Sequence, residues 1–370
     1  MKRYLSILLV IVMILLTGCS GMAGNIGGAS AGPVESPSPS AADVSPSATL
    51  DSSEESPASS AGSSDSPKAS GVPEHQTDSE DAPIVYMTTD LSPEGLMAVY
   101  NALGRTADGK VAIKLNTGEG ERSYNLEPDL IKDLVQSVDG TIVECNTAYG
   151  GSRASTAMHM QVAEDRGYTA IAPVDIMDAD GGTEIPVDGG TRLTTNQVGS
   201  HFLDYDFCIV LSHFKGHMMG GFGGALKNMS IGIASKEGKS LIHSAGANKT
   251  GYSPGTPADT FTECMAEAAK SVYDYLDNGN KLLCINVMNN ISVDCDCAAN
   301  PAKPDMHDIG ILASLDPVAL DQACVDLIYA APDSKSVIRR IESRNGTHIL
   351  EHAEEIGFGS RAYRLVSIDD

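Results

Sequence analysis

The sequence predicts an α/β domain in which helices flank a mostly parallel β-sheet, preceded by a signal peptide and a disordered linker. Three observations indicate this organisation. Residues 1–19 hold a short apolar run that ends at a cysteine, residues 20–82 contain almost no large apolar side chain, and residues 83–370 alternate strand-like runs with helical patterns. Such alternation is typical of βαβ units on a parallel sheet.

The N-terminal segment has the pattern of a lipoprotein signal peptide. Lys2 and Arg3 precede an apolar run over 4–16, which is shorter than the roughly 20 residues that a membrane-spanning helix needs. Small residues lead to Cys19, whose thiol is the predicted lipidation site at the end of a lipobox. A lipid on Cys19 would anchor the chain to the membrane and place the domain outside the cytoplasm. The alternative is an ordinary signal peptide in which this cysteine has no role.

The linker over 20–82 consists mainly of Ser, Pro, Ala, Gly and acidic residues. It has ten carboxylates against Lys68 as its one basic side chain. Such a segment cannot bury enough apolar surface to offset its chain entropy, so we expect it to be disordered and extended.

The elements of the domain follow from apolar runs and from apolar residues that recur every three to four positions. Asp316 before Pro317 is a typical N-cap for the last predicted helix, which runs to Tyr329. The other patterns predict strands at 84–88, 111–115, 141–146, 169–177, 207–211, 282–287 and 309–315, and helices from Ser92 and over 128–138, 153–165 and 260–276.

Charge and cysteine content limit the classes of function. The formal net charge of −24 argues against nucleic acid as a partner, because phosphate binding needs a basic face. Seven cysteines follow Cys19, and an odd number is unexpected in an oxidising compartment unless some thiols hold a metal or the surroundings lack oxygen. Cys208, Cys284 and Cys324 lie inside apolar runs and are interpreted as core residues.

The stretch 212–228 is the most informative for function. It follows an apolar strand directly and combines His213, Lys215, His217 and Lys227 with a glycine-rich turn. A polar, cationic loop at the carboxyl end of a strand is suited to hold an anion or a metal ion. The alternative is a structural turn whose glycines satisfy the backbone geometry.

A second candidate is the stretch 294–297, Asp-Cys-Asp-Cys. Cys295 and Cys297 could ligate zinc or iron together with His213 and His217 if the two loops meet. A disulfide between the two cysteines is the competing interpretation, and the sequence does not decide between them.

Further polar residues lie at predicted strand ends. We expect Lys114, Lys215 and Asp308 to be catalytic, with a lysine neutralising the charge of the substrate, and Arg153, Lys227 and Asn228 to bind the ligand. Asp321 lies in the last predicted helix, and the sequence allows its side chain either a solvated position or a place in the same cleft.

These stretches resemble the domain-of-unknown-function family DUF362. The resemblance implies an α/β domain and no established reaction. Many members resemble iron–sulfur proteins through a ferredoxin-like insertion after the position of Ser244, but residues 245–261 contain no cysteine here, so a [4Fe–4S] cluster is not expected. The resemblance extends in order over 111–118, 146–153 with His159, 178–182, 212–228, 238–244, 294–297 and 308–327.

The sequence thus favours a membrane-anchored extracytoplasmic lipoprotein whose domain acts on an anionic small molecule as a metal-dependent or redox-related enzyme. The alternatives are a non-catalytic surface protein that binds a metal or small ligand, and a purely structural envelope protein.

Overall fold

The computed structural model describes residues 73–120, 123–251 and 255–369. The predicted signal peptide, Cys19 and residues 20–72 of the predicted linker lie outside the described residues. Within the described part of the chain, no helix is both long and apolar enough to cross a membrane.

An eight-stranded sheet forms the centre of the domain, in the order β12-β1-β11-β10-β7-β2-β3-β4. Two small antiparallel hairpins, β5–β6 and β8–β9, lie outside it. The strands are β1 (Ile84–Thr88), β2 (Val111–Lys114), β3 (Thr141–Glu144), β4 (Val174–Ile176), β5 (Gly182–Pro186), β6 (Thr195–Gly199), β7 (Phe207–His213), β8 (Lys215–His217), β9 (Gly221–Gly223), β10 (Leu282–Met288), β11 (Gly310–Ser314) and β12 (Arg364–Ser367).

Helices pack on both faces of the sheet. They are α1 (Pro93–Ala102), α2 (Pro128–Ser137), α3 (Thr156–Asp165), α4 (Ala225–Lys227), α5 (Lys236–His243), α6 (Ala258–Tyr275), α7 (Pro317–Ala330), α8 (Lys335–Glu342) and α9 (His348–Glu355). A π-helical turn (Asn228–Gly232) continues α4, and 3₁₀ turns occur at Tyr168–Ala170 and Ser200–Asp204.

The sheet is parallel across β10, β7, β2, β3 and β4, as the alternation of elements predicts. β11 runs antiparallel to both of its neighbours, β10 and β1. The reason is the connection, because the residues between β10 and β11 form loops without a crossover helix, and a parallel neighbour needs such a crossover.

The two faces of the sheet bury separate cores, which explains why the central strands are continuously apolar. Cys208 and Val210 of β7 pack with one cluster, while Ile209 and Leu211 pack with the other. The same alternation occurs in β2 and β10, because successive side chains of a strand point to opposite faces. Helices α1 and α2 cover one face, and α6, α7 and α9 contribute to the other.

The structure differs from the predicted element order in several places, and it adds elements that no sequence pattern predicted: β5, β6, β8, β9, β12, α5, α8 and α9. The predicted strand 169–177 is a 3₁₀ turn followed by the short strand β4. The chain also contacts the domain before residue 83, since the Thr77 amide donates to the Tyr363 carbonyl (2.9 Å) and Gln76 forms a parallel bridge with Tyr363.

Candidate functional site

The carboxyl ends of the neighbouring parallel strands β3, β2 and β7 lie along one edge of the sheet, which is where ligands bind in open α/β sheets. Lys114, Glu144 and His213 are the last residues of β2, β3 and β7. We call this edge, with the loops that follow these strands and β10, the carboxyl edge.

A buried ion network occupies its first part. The Lys114 ammonium contacts the Glu144 carboxylate (2.9 Å) and also donates to the Leu115 carbonyl. The Arg153 guanidinium bridges Glu144 (3.1 Å) and Glu119 (2.9 Å). Since all four charged residues are at most 5 % exposed, each charge depends on its partners rather than on water.

The protonation states follow from these contacts. Burial alone would raise the pKa of Glu144, but the positive charges of Lys114 and Arg153 and a hydrogen bond from His159 hold it well below its usual range. Burial lowers the pKa of His159, which lies beside Thr117. Lys114, predicted to be catalytic, and Arg153, predicted to bind the ligand, are therefore both paired with carboxylates.

A second network joins the loop after β7 to the loop after β10. The His213 ring contacts the Asp296 carboxylate through Nδ1 (2.9 Å) and the Asn289 carbonyl through Nε2 (2.7 Å). The Lys215 ammonium contacts the other Asp296 oxygen (2.9 Å). Burial would raise the pKa of Asp296, but His213 and Lys215 hold it well below its usual range. Both ring nitrogens of His213 are thus engaged, so the structure does not bring it to the cysteines as a ligand.

His217, Cys295 and Cys297 form a group that could hold a metal ion. One ligand atom from each lies within 4.8 Å of the others. In the structure the two cysteines are joined as a disulfide, which is the competing interpretation of this motif. The His217 Nδ1 accepts a hydrogen bond from the Gly220 amide (3.0 Å), so the proton of the neutral ring is on Nε2.

Lys227 and Asn228 have different surroundings although they are adjacent. The Asn228 amide donates to the Lys114 and Leu211 carbonyls and to the Ser212 hydroxyl, so it links β2 to β7. Among the described residues, the Lys227 ammonium has no hydrogen-bond or ion-pair partner, and the residue is half-buried. Burial, followed by the charges of Arg153 and Lys114, lowers its pKa to about 8.

The predicted acidic residues separate in the structure. Asp308 is exposed and accepts the Asn290 amide (2.7 Å), and within the described residues it contacts none of the cleft side chains named above. Asp321 is fully buried and not solvated, since it accepts the Ala225 and Leu226 amides at the start of α4 (2.8 and 2.9 Å) and the Asn286 side chain (2.7 Å). Asp316 is the N-cap of α7, as predicted.

Sequence reasoning missed the carboxylates that pair with the cations. Glu144 is the clearest case, because a carboxylate inside an apolar run such as 141–146 is rarely buried unless it is paired. Glu119 gave no such signal, since it lies in a polar loop. Asp296 was considered only as a hard metal ligand beside the cysteines, whereas its carboxylate is used by His213 and Lys215.

Two surface cavities lie away from the carboxyl edge. One of about 390 Å³ is lined by residues that include His75, Asp326 and Arg361, and one of about 400 Å³ by residues that include Arg105 and Tyr273. Neither cavity is lined by His217, Cys295 or Cys297, the group of described residues that could hold a metal ion. We therefore assign the candidate site to the carboxyl edge.

Comparisons with known proteins place the chain by family. The model of a family described as a domain of unknown function (DUF362) matches residues 111–326, which include most residues of the carboxyl edge. No curated protein matches significantly.

Two solved structures are similar in fold. The lactate racemase apoprotein from Thermoanaerobacterium thermosaccharolyticum has 15 % identity and a TM-score of 0.41, over 67 % of this chain and 57 % of that protein. A protein from Thermotoga maritima has 11 % identity and a TM-score of 0.37, over 71 % and 58 %. The matched part spans less than two thirds of the length of each of these two solved proteins.

Proposed function

The chain belongs to the DUF362 family, whose description names no reaction, and we propose from the carboxyl edge that its domain binds a small anionic molecule through Lys227. The observation that supports this most directly is the Lys227 ammonium, which has no partner among the described residues although it is half-buried beside other cations.

The absence of a charged partner distinguishes Lys227 from the neighbouring cations. Lys114, Arg153 and Lys215 are each matched by a buried carboxylate at 3.1 Å or less. A partly buried charge without a partner costs free energy, because the protein replaces water without supplying a counter-charge. A bound carboxylate, sulfate or phosphate group would supply the missing charge. Lysine is well suited to such a role, since its ammonium acts as a point charge for anions.

Local packing leaves room for the Lys227 side chain. A Cβ built on Gly223 would lie 2.9 Å from the Lys227 Cδ, so a larger residue at 223 would displace the stem. The start of α4 is fixed by Asp321, which accepts two of its amides. The backbone that carries Lys227 is therefore constrained, so the protein loses less conformational entropy when an anion binds.

The second part of the proposal concerns a metal ion. His217, Cys295 and Cys297 offer nitrogen and sulfur ligands that suit zinc or iron. A metal there would support a metal-dependent or redox-related reaction on the bound anion. If the protein binds the anion without converting it, the domain is instead a ligand-binding surface protein. Turnover by the metal-loaded protein, against stoichiometric binding alone, distinguishes the two.

Calorimetric titration of the purified chain with inorganic sulfate tests the first part. We expect Lys227→Met to weaken binding by about tenfold or more, because a hydrogen bond to a charged group is lost. Lys132→Met removes the same charge from an exposed position on α2 and is the matched control, for which no change is expected. Equal sulfate affinity in wild type and Lys227→Met would show that Lys227 is not the anion contact.

We also propose that Cys19 is lipidated and that the protein is held at the outer face of a membrane. The lipobox pattern ending at Cys19 supports this. Metabolic labelling with an alkynyl fatty acid should label the wild type and leave Cys19→Ser unlabelled. Labelling that persists in the variant would exclude this anchor.

A further inference from the structure

The cysteine pair beside His217 differs from every other cysteine that the structure describes. Cys295 and Cys297 are half-buried and joined to each other. The remaining described cysteines are free thiols, and all of them are buried: Cys145, Cys208, Cys264, Cys284 and Cys324. Reagents and metal ions therefore reach the pair far more readily than the other thiols, because reactivity requires access.

The backbone around the pair is fixed by contacts that do not involve either sulfur. Between the two cysteines, Asp296 is bound by His213 and Lys215, and its carbonyl accepts the Glu119 amide (2.8 Å). On the other side, the Arg340 guanidinium donates to the Val293 carbonyl (2.8 Å). Breaking the disulfide would thus release two sulfurs from a loop that stays in place beside His217.

We propose that Cys295 and Cys297 form a redox-controlled metal site, in which the dithiol binds a soft divalent ion together with His217 and the disulfide excludes it. The three ligand atoms already lie within 4.8 Å of one another. A sulfur in a disulfide is a poor metal ligand, because the thiolate is the ligating form. The inference deepens the metal part of the proposed function and rests on it.

Both steps balance. A dithiol reductant breaks the Cys295–Cys297 bond by thiol–disulfide exchange, and its own two thiols become a disulfide as two electrons and two protons pass to the protein. Metal binding then releases the two thiol protons to solvent as two metal–sulfur bonds form. Oxidation by a disulfide of the same class reverses the sequence and expels the ion.

Metal binding also requires a change in the turn between β8 and β9. His217 Nδ1 accepts the Gly220 amide, so a metal on Nδ1 replaces this hydrogen bond directly. A metal on Nε2 moves the ring proton to Nδ1, where it would face the Gly220 amide proton. In either case the hydrogen bond is lost, and the turn that includes the 59 % exposed Met218 has to shift.

Anaerobic zinc titration of the full chain, after reduction with a dithiol or after oxidation to the disulfide, tests the switch. We expect about one zinc per reduced chain and at least about tenfold weaker binding to the oxidised chain. Cobalt(II) in place of zinc should show a thiolate charge-transfer band in the reduced wild type only. Hydrogen exchange at the Gly220 amide should accelerate when zinc binds.

The controls separate this inference from its premise. Cys295→Ser with Cys297→Ser should bind zinc weakly in both conditions, and His307→Gln, which alters an exposed histidine, should match the wild type. Equal zinc binding by the reduced and oxidised chains would overturn the switch while leaving a metal site. No binding in either condition would overturn both the metal site and the switch, and sulfate binding through Lys227 would be unaffected.

Discussion

Lys227 is the residue whose chemistry depends most on its immediate neighbours. Its side chain is half-buried, and Lys114 and Arg153 repel its charge without being free to bind an anion themselves, because Glu144 and Glu119 already pair with them. Of these three cations, Lys227 is therefore the one whose charge is not matched by a carboxylate. It follows that the protonation of this amine should control anion affinity.

The pH dependence of sulfate binding is a direct consequence. Burial and the neighbouring cations lower the Lys227 pKa to about 8, so the free protein loses the ammonium as the pH rises through that value. Sulfate itself keeps its charge over the neutral and alkaline range. We expect its affinity to be constant below about pH 7 and to fall about tenfold per pH unit above 8. Titration calorimetry between about pH 6 and 10 measures how the sulfate affinity depends on pH. An affinity that does not change with pH would contradict the assignment of Lys227 as the anion contact.

Glu144 illustrates how one buried carboxylate stabilises two cations. Glu144→Gln would replace the carboxylate beside Lys114 with a neutral amide. Among the described residues, it would leave Arg153 with Glu119 as its carboxylate partner and with its hydrogen bond to the Asn116 side chain. We expect the free energy of unfolding to fall by about 3–5 kcal/mol, as for other broken buried ion pairs. Urea denaturation measures the loss.

A surface pair provides the matched comparison for Glu144. The Lys249–Glu184 pair is about half exposed on both sides, so Glu184→Gln should change stability by less than about 1 kcal/mol. The direction in which the Glu144 contribution to stability changes with pH is also determined. Because the Glu144 pKa is depressed, its contribution is present above the ordinary carboxyl pKa and is lost as the pH falls below it. Similar losses in both variants would show that the network around Glu144 contributes little.

At the scale of the elements, Asp321 connects α7 to the start of α4, which ends at Lys227. It is fully buried and accepts two backbone amides of α4. Burial nevertheless raises its pKa to about 6, more than these hydrogen bonds lower it. The ionised form is therefore destabilised in the folded protein relative to the unfolded chain.

The Asp321→Asn variant tests this balance. Because the folded pKa is raised, the favourable contribution of the protonated carboxyl is complete below the ordinary aspartate pKa and is lost as the pH rises through about 6. The stability of wild type relative to Asp321→Asn should therefore decline by about 3 kcal/mol over this interval. Denaturation at pH values between about 4 and 7 measures the difference. A difference that does not change with pH would mean that Asp321 titrates normally.

The sequence predicts some elements better than others for physical reasons. β7 and β10 are apolar on both faces, and this pattern is sufficient to identify them as central parallel strands. The reversed direction of β11 depends on the course of a loop, which no local pattern encodes. The β5–β6 hairpin has a mixed, largely polar sequence, so its pairing was missed.

The site was predictable to a similar, partial degree. The glycine-rich stretch and the Asp-Cys-Asp-Cys motif were identified, because unusual residues at strand ends suggest chemistry. Their pairing was not predictable in detail, since Asp296 and His213 are 83 positions apart and only the fold brings them together. Asp308 is a different case, because its position before a strand suggested a place in the cleft, whereas the structure shows it exposed and bonded to the Asn290 amide.

At the scale of the whole molecule, the two ends of the described chain pack against each other. β12 pairs with β1, and residues 73–77 reach the same region. There the backbone amide of Tyr363 donates to the His75 carbonyl (3.1 Å), and the Tyr363 carbonyl accepts the Thr77 amide (2.9 Å). His75 also lies 3.5 Å from the Asp326 carboxylate on α7. The chain therefore contacts the domain before the predicted boundary at 83, and we expect these contacts to contribute to stability.

Comparison of a chain that begins at residue 83 with one that begins at residue 73 tests this arrangement. The shorter chain retains the pairing of β1 with β12 but loses two backbone hydrogen bonds to Tyr363 and the contact between His75 and Asp326. We expect a loss of about 1–3 kcal/mol in the free energy of unfolding, since each hydrogen bond contributes about 1 kcal/mol. His75→Gln in the longer chain alters only the contact with Asp326 and should cost under about 1 kcal/mol. If the two chains unfold at the same urea concentration, residues 73–82 rest on the surface without stabilising the domain, and the boundary at 83 is adequate.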